Sequence, residues 1–279
     1  MSLKKKRVRK SIALVLVGVM VVTPIMNNVS AMENNYINSH IEIQENIEYF
    51  KNVETYIKEL YGTEDKFYPS EQIGNSYSEI NPHTGILRIN NIDDIGNITT
   101  IYQTNIFESA KEIVNDLEDT YESETKEIES RKAIVYKKQM TGSPIDKFSL
   151  AVFSHGDYKS HFRISIGNDK GTLKNYYKND SWDTGNTAKF KSSLIKAQGN
   201  VSSIKKKVVT GAAFATAMSA VKNLVTGNSS INKDDIASLL IKVGISAVTA
   251  ASVAPDVLAY LINVRNCGSY YNIIINGKS

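Results

Sequence analysis

Ser154-His155-Gly156-Asp157 puts a hydroxyl, an imidazole and a carboxylate on neighbouring residues, and His161 follows shortly after. These are the residue types of an acid/base or metal cluster. Adjacency does not make a triad, because the fold must bring the three groups into line. The other histidines are His40 and His83, and the chain has no HExxH, HxH, CxxC, GxSxG or P-loop pattern. Cys267 is the only cysteine and has no partner at a meaningful spacing. Tyr176, Tyr177 and Trp182 stand among Lys174 and Lys178, a pattern open to carbohydrate or nucleic acid but better read as a core-edge strand. The expectation is a chain with no enzymatic step, no cofactor, no metal, no nucleic acid and no small-molecule substrate. A hydrolase using His155 and His161 remains the alternative that the residue types permit.

The elements that would position these groups are readable in part. Lys147–Ile166 has two runs of β-branched and aromatic residues flanking Gly156-Asp157, which predicts a β-hairpin. Leu173–Trp182 and Lys132–Met140 predict further strands, and Gly85–Ile89 a short one. Ser269–Ile275, SYYNIII, reads as a terminal strand that would join the hairpin. Ile41–Tyr61 predicts a helix with Ile47, Phe50, Val53, Ile57 and Leu60 on one face, stopped by Gly62. Ile106–Ile128 predicts another, with Ile106, Ala110, Ile113, Val114 and Leu117 as its stripe.

Two apolar runs follow. In Val208–Val225, Phe214, Met218, Val221 and Val225 share a face opposite Thr216, Ser219, Lys222 and Asn223, and Lys205, Lys206 and Lys207 precede it. In Ile236–Ala254 the start is capped by Asn232, with Asp234 and Asp235 in the first turn. Ile231 and Ile236 have staple spacing, and Pro255 predicts a bend. Gly227–Ser230 would join the two helices as an αα-hairpin. Two resident membrane spans are the weakest reading, since Lys222 and Lys242 would each cost about 2.5–3.5 kcal/mol near the bilayer centre. A buried core hairpin explains the alanines. A membrane-active hairpin also explains the lysines and the small-xxx-small pairs Gly211/Ala215 and Ala247/Ala251. The last two readings are compatible if a buried hairpin is released at a membrane.

The ends and charges set the context. A basic stretch from Lys4 to Lys10, an apolar run Ile12–Val22 and Val29-Ser30-Ala31 predict a secretory signal cleaved after Ala31; an uncleaved anchor is the alternative. The whole chain has 33 basic and 29 acidic residues. Without the six basic residues of the signal, 27 face 29, a net charge of −2. Residues 32–203 are acidic, with 19 basic against 26 acidic, and residues 204–279 cationic, with 8 against 3. The sequence therefore divides into residues 1–31, a signal peptide; 32–203, an acidic α+β region; and 204–279, a cationic apolar helical hairpin with a final strand.

With its signal MSLKKKRVRKSIALVLVGVM…VSA, acidic middle, YYKNDSWDTGNTAKFKSSLIKAQGNVSSIKKK lead-in and alanine- and valine-rich C-terminal helices, the layout resembles large secreted bacteriocin preproproteins of Gram-positive bacteria, of the closticin and geobacillin-26 kinds. The resemblance implies an extracellular protein that kills related bacteria, proteolytic release of the C-terminal part, and an immunity protein as the producer's own partner. No Asp-Pro or dibasic-plus-small site marks a maturation cut. The expected partner is the anionic lipid membrane of target bacteria. Lys205, Lys206 and Lys207 are expected to engage its surface, and Phe214, Met218, Val221, Leu239, Leu240 and Val243 to enter the acyl region, with the acidic part masking them beforehand. The runner-up is a secreted cell-surface protein in which the hairpin is only core.

Overall fold

The computed structural model describes residues 43–129, 134–139, 148–153, 161–167, 173–179, 184–225 and 230–277. The signal and its cleavage point at Ala31, together with His40, His155, Asp157, Trp182 and Gly227–Ser229, lie outside the described residues. The described elements belong to a single unit of the chain.

The chain is α+β. Helix α1 (residues 43–51) and α2 (Val53–Tyr61) replace the single helix expected over Ile41–Tyr61. The break is Asn52, whose backbone leaves the helical region (φ −96°, ψ 3°) and whose side-chain Nδ2 donates back to Glu48 O at 2.9 Å. Phe50, Val53 and Ile57 point inward, and Gly62 (φ +82°) ends α2 as read from the sequence.

Strands β1 (Tyr68–Pro69), β2 (Ser76–Ile80), β3 (Ile86–Ile92) and β4 (Ile98–Asn105) form an antiparallel sheet in chain order. The β2–β3 turn is set by Asn81, whose side-chain oxygen accepts from the amides of His83 and Thr84. Gly85 closes it at φ +73°, where a Cβ would lie 2.5 Å from the Phe107 ring. Along β2, Ser76, Ser78 and Ile80 face inward, so two of its three inward positions are hydroxyls. Strand β4 runs directly into α3 (Ile106–Glu129), with Asn105 accepting from the Phe107 and Glu108 amides at the junction.

Strands β5 (Ile134–Gln139), β6 (Ser149–Phe153), β7 (His161–Gly167) and β8 (Leu173–Asn179) form a second antiparallel meander. The expected hairpin is β6–β7, with Ser149 opposite Ser165 and Val152 opposite Phe162.

Four helices complete the unit: α4 (Gly185–Lys207), α5 (Gly211–Val221), α6 (Lys233–Lys242) and α7 (Ala247–Ile275), with a 3₁₀ turn at Lys222–Leu224 after α5. Several expectations change here. Lys205–Lys207 are the last turn of α4 rather than the lead of the next helix, and α5 is shorter than Val208–Val225. The boundary drawn from charge at 203/204 falls inside α4. Helix α6 keeps its Asn232 capping box but stops at Lys242, where Gly244 adopts φ +89°. The helix then restarts at the Ser246 N-cap and runs through Pro255.

The terminal segment Ser269–Ile275 is helix, not strand. Its apolar residues continue a three-and-four spacing along α7 (Val253, Val257, Tyr260, Val264, Cys267, Tyr271, Ile274), all buried. Burying that face overrides the β preference of SYYNIII. Helix α4 lies antiparallel to α7: Lys207 and Ser203 reach Asp256, Asn200 meets Asn263, and Phe190 and Tyr271 both meet Phe148, the residue before β6.

Candidate functional site

Helix α5 is the centre of the molecule. Every residue from Ala213 to Val221 is buried. Helices α2, α3, α4 and α6 surround it. The sequence leads one to expect an amphipathic helix with Thr216 and Ser219 on a wet face. Both are instead fully buried, and their hydroxyls donate back to Ala212 O (2.8 Å) and Ala215 O (2.9 Å). Sealed in this way they cost no unsatisfied polar group, and α5 becomes apolar on every side. The close approach is visible at Gly211, where a Cβ would run into the Tyr49 ring.

The six apolar residues expected to enter lipid are brought together, but in the core. Phe214 is 2% exposed, and Met218, Val221, Leu239, Leu240 and Val243 are at 0%. Of the lysines, Lys206 is exposed and Lys205 is half-buried with its Nζ 5.2 Å from the Phe214 ring centroid. Lys207 donates to Asp256 Oδ2 (2.7 Å) and Ser252 O (2.9 Å). Burial works against the Asp256 carboxylate, but hydrogen bonds from Lys207 and Ser203 outweigh it and hold its pKa below the usual range. Lys207 therefore ties α4 to α7 rather than standing free for lipid.

Polar ties that residue order could not reveal hold α5 and α6 against the acidic part. Tyr102 donates to Ala220 O at 2.6 Å, taking one of the carbonyls that a helix leaves orphaned at its end. Burial pushes the Tyr102 hydroxyl well above its ordinary pKa. Asn223 donates to Thr104, and Lys222 pairs with Glu112 of α3. On α6, Asp235 meets Ser76, Ser238 meets Ser78 at 2.8 Å, and Lys242 donates to Pro69 O at 3.0 Å. The sequence signal was the inward Ser-x-Ser of β2 against the buried Asp-x-x-Ser of α6; each looks like surface until the partner is known. Tyr102→Phe is expected to lower stability by about 1–2 kcal/mol, since a buried carbonyl loses its donor. The urea midpoint at constant m-value measures it.

Length separates the helices further. At 1.5 Å per residue, α5 reaches only about 16 Å, well short of the roughly 30 Å hydrocarbon core. Among the described residues, α7 is the helix long and apolar enough to cross a membrane by length and composition, with a mean hydropathy of 1.5 over its best window and 39% of that window buried.

Chemical sites are sparser. His161 lies on β7 opposite Asn179, and His83 is exposed on the β2–β3 turn. Among the described residues no three His, Cys, Asp or Glu side chains are grouped to hold a metal. A groove of about 260 Å³ between α1–α2 and α3 has an apolar floor of Phe50, Val53, Phe107, Ala110 and Val114, rimmed by Lys51, Glu54 and Lys111. Comparison with protein-family models, curated proteins and solved structures finds no match to this chain.

Proposed function

We propose that this chain is a secreted, non-enzymatic antimicrobial protein of the bacteriocin kind, acting on the anionic membrane of target bacteria with its apolar C-terminal helices. The observation that supports this reading is α5 itself: nine successive buried residues, Ala213–Val221, with both hydroxyls turned back on the helix. A helix apolar all round suits a lipid interior as well as a protein core. In the stored form, the acidic part covers α5 and α6. At the membrane these helices leave the ties to Tyr102, Glu112, Ser76 and Ser78, and α7 supplies the element of spanning length. The signal-like stretch ending at Ala31 supports export, and a producing cell would require an immunity protein. A second reading keeps α5 and α6 as core permanently, in a secreted surface protein. The capping box and buried Asp235 of α6, which anchor it firmly, favour that reading.

Release of an entrapped dye tests the proposal. Residues 32–279 are expected to empty vesicles containing phosphatidylglycerol, less so in high salt, and to leave pure phosphatidylcholine vesicles intact. Folded protein that releases nothing from either would favour the surface-protein reading.

A further inference from the structure

Two valines stand in water on segments that the fold brings together. Val209, in the α4–α5 link, is 93% exposed, and Val248, in the first turn of α7, is 83% exposed. They are separated by 39 positions in the chain, yet the fold joins their segments. Lys207, two residues before Val209, is bonded to Ser252 O, one turn beyond Val248. Tyr56 of α2 makes the second connection. It lies near Thr210, the residue after Val209. It also lies against Gly244 at the α6–α7 corner, where a Cβ would be 2.8 Å from its hydroxyl. Leu60, one turn further along α2 and 43% exposed, packs against the same glycine. Val208 turns into the core while Val209 turns out, so the link presents one valine to water.

Beside this apolar patch stand Lys205, Lys206 and Lys207 in the last turn of α4. Lys207 is paired with Asp256. The other pair of well-exposed large apolar residues is Ile95 (84%) and Ile98 (60%) at the β3–β4 turn, and there the neighbours are Asp93 and Asp94. Apolar exposure is similar at the two patches, but lysines flank the first, with Glu59 beside Leu60, and aspartates alone flank the second. An anionic lipid surface attracts the first and repels the second.

We infer that the folded protein docks on anionic lipid through Val209, Val248 and Leu60, flanked by Lys205 and Lys206, before any helix leaves the core. This rests on the membrane reading proposed above and revises its contact site. The six buried residues expected to meet lipid are not available in the folded chain, whereas this patch is. Valines enter the interface while lysines stay at the headgroups, the arrangement of an interfacial anchor.

Sedimentation with vesicles of equal parts phosphatidylglycerol and phosphatidylcholine tests it, using residues 32–279. Val209→Asp/Val248→Asp is expected to bind about thirtyfold more weakly than the parent, through lost apolar burial and added repulsion. Val209→Ser/Val248→Ser is expected to lose about fivefold, and Ile95→Asp to bind as the parent does. Because all these positions are exposed, unchanged thermal unfolding is expected of each variant. A parent that binds while the double aspartate variant binds equally well overturns this docking surface and leaves the membrane reading standing. A parent that does not sediment with these vesicles overturns both.

Discussion

Asp235→Ala lowers folding stability by about 2–3 kcal/mol and speeds release of α6. The carboxylate is wholly buried, and one oxygen accepts from the Asn232 amide at 2.9 Å, closing the capping box. The other accepts from Ser76 Oγ. Ser76 Oγ also lies 2.8 Å from the side chain of Asn91. A hydroxyl has one proton, so with that proton on Asp235 the Asn91 amide must meet Ser76 through its NH₂ group. The carboxylate thus organises three residues from two strands and one helix end, and the helix dipole favours its charge. Alanine leaves the Asn232 amide and the Ser76–Asn91 pair without their acceptor. Asp234, one residue earlier and partly exposed, accepts nothing comparable, and Asp234→Ala is expected to cost under about 1 kcal/mol. If α6 must leave the sheet to act, Asp235→Ala also releases dye from anionic vesicles faster than the parent. Slower or unchanged release by a folded, destabilised variant would mean that α6 does not need to move.

Stability should rise with pH between about 8 and 10 and fall above 10. Lys242 is only 5% exposed, with its ammonium 4.6 Å from the Tyr61 ring centroid, and burial holds its pKa down to about 8. In the unfolded chain it titrates near 10.5. Between those values the unfolded chain binds the extra proton, so stability increases with pH. The gain from pH 8 to 10 is at most about 2 kcal/mol. The tyrosines act in the opposite sense. Burial, then the nearby charge of Tyr56, pushes Tyr61 up to about 12. Tyr56 and Tyr102 are also raised, mainly by burial. Above pH 10 the unfolded chain loses these protons first, and stability declines. Lys242→Met should remove the rise between pH 8 and 10 while keeping the decline above 10. A urea-midpoint profile flat from pH 8 to 10 in the parent would show that Lys242 keeps its charge at no cost.

Local chemistry made much of the fold legible. The α3 stripe, the β6–β7 hairpin, the Asn232 cap and the Gly62 stop each depend on neighbours in the chain, and each is present in the structure. Features that failed were decided by distant partners. Ser269–Ile275 carries β-branched and aromatic residues, but its face completes a stripe begun at Val253. In α4, Phe190, Leu194, Ala197, Val201 and Ile204 recur at four and three residues, but glycine, serine and lysine between them dilute the pattern. Thr216 and Ser219 looked wet because a sequence does not show a hydroxyl turned back on its own helix. The same blindness applied to the candidate site. Composition drew attention to the most apolar residues, which are the ones burial removes from any folded-state contact.

The central claim is that α5 leaves this core for lipid. A tryptophan placed at Phe214, in a chain whose native Trp182 is replaced by phenylalanine, reports it directly on anionic vesicles whose acyl chains carry bromine. Bromine quenches tryptophan only at close range. Emission from Trp182→Phe/Phe214→Trp should be strongly quenched once the protein is bound, and unaffected by the same vesicles without bromine. Bound protein whose emission is unchanged by bromine would mean that α5 stays inside the fold at the membrane, and would contradict the proposed mechanism.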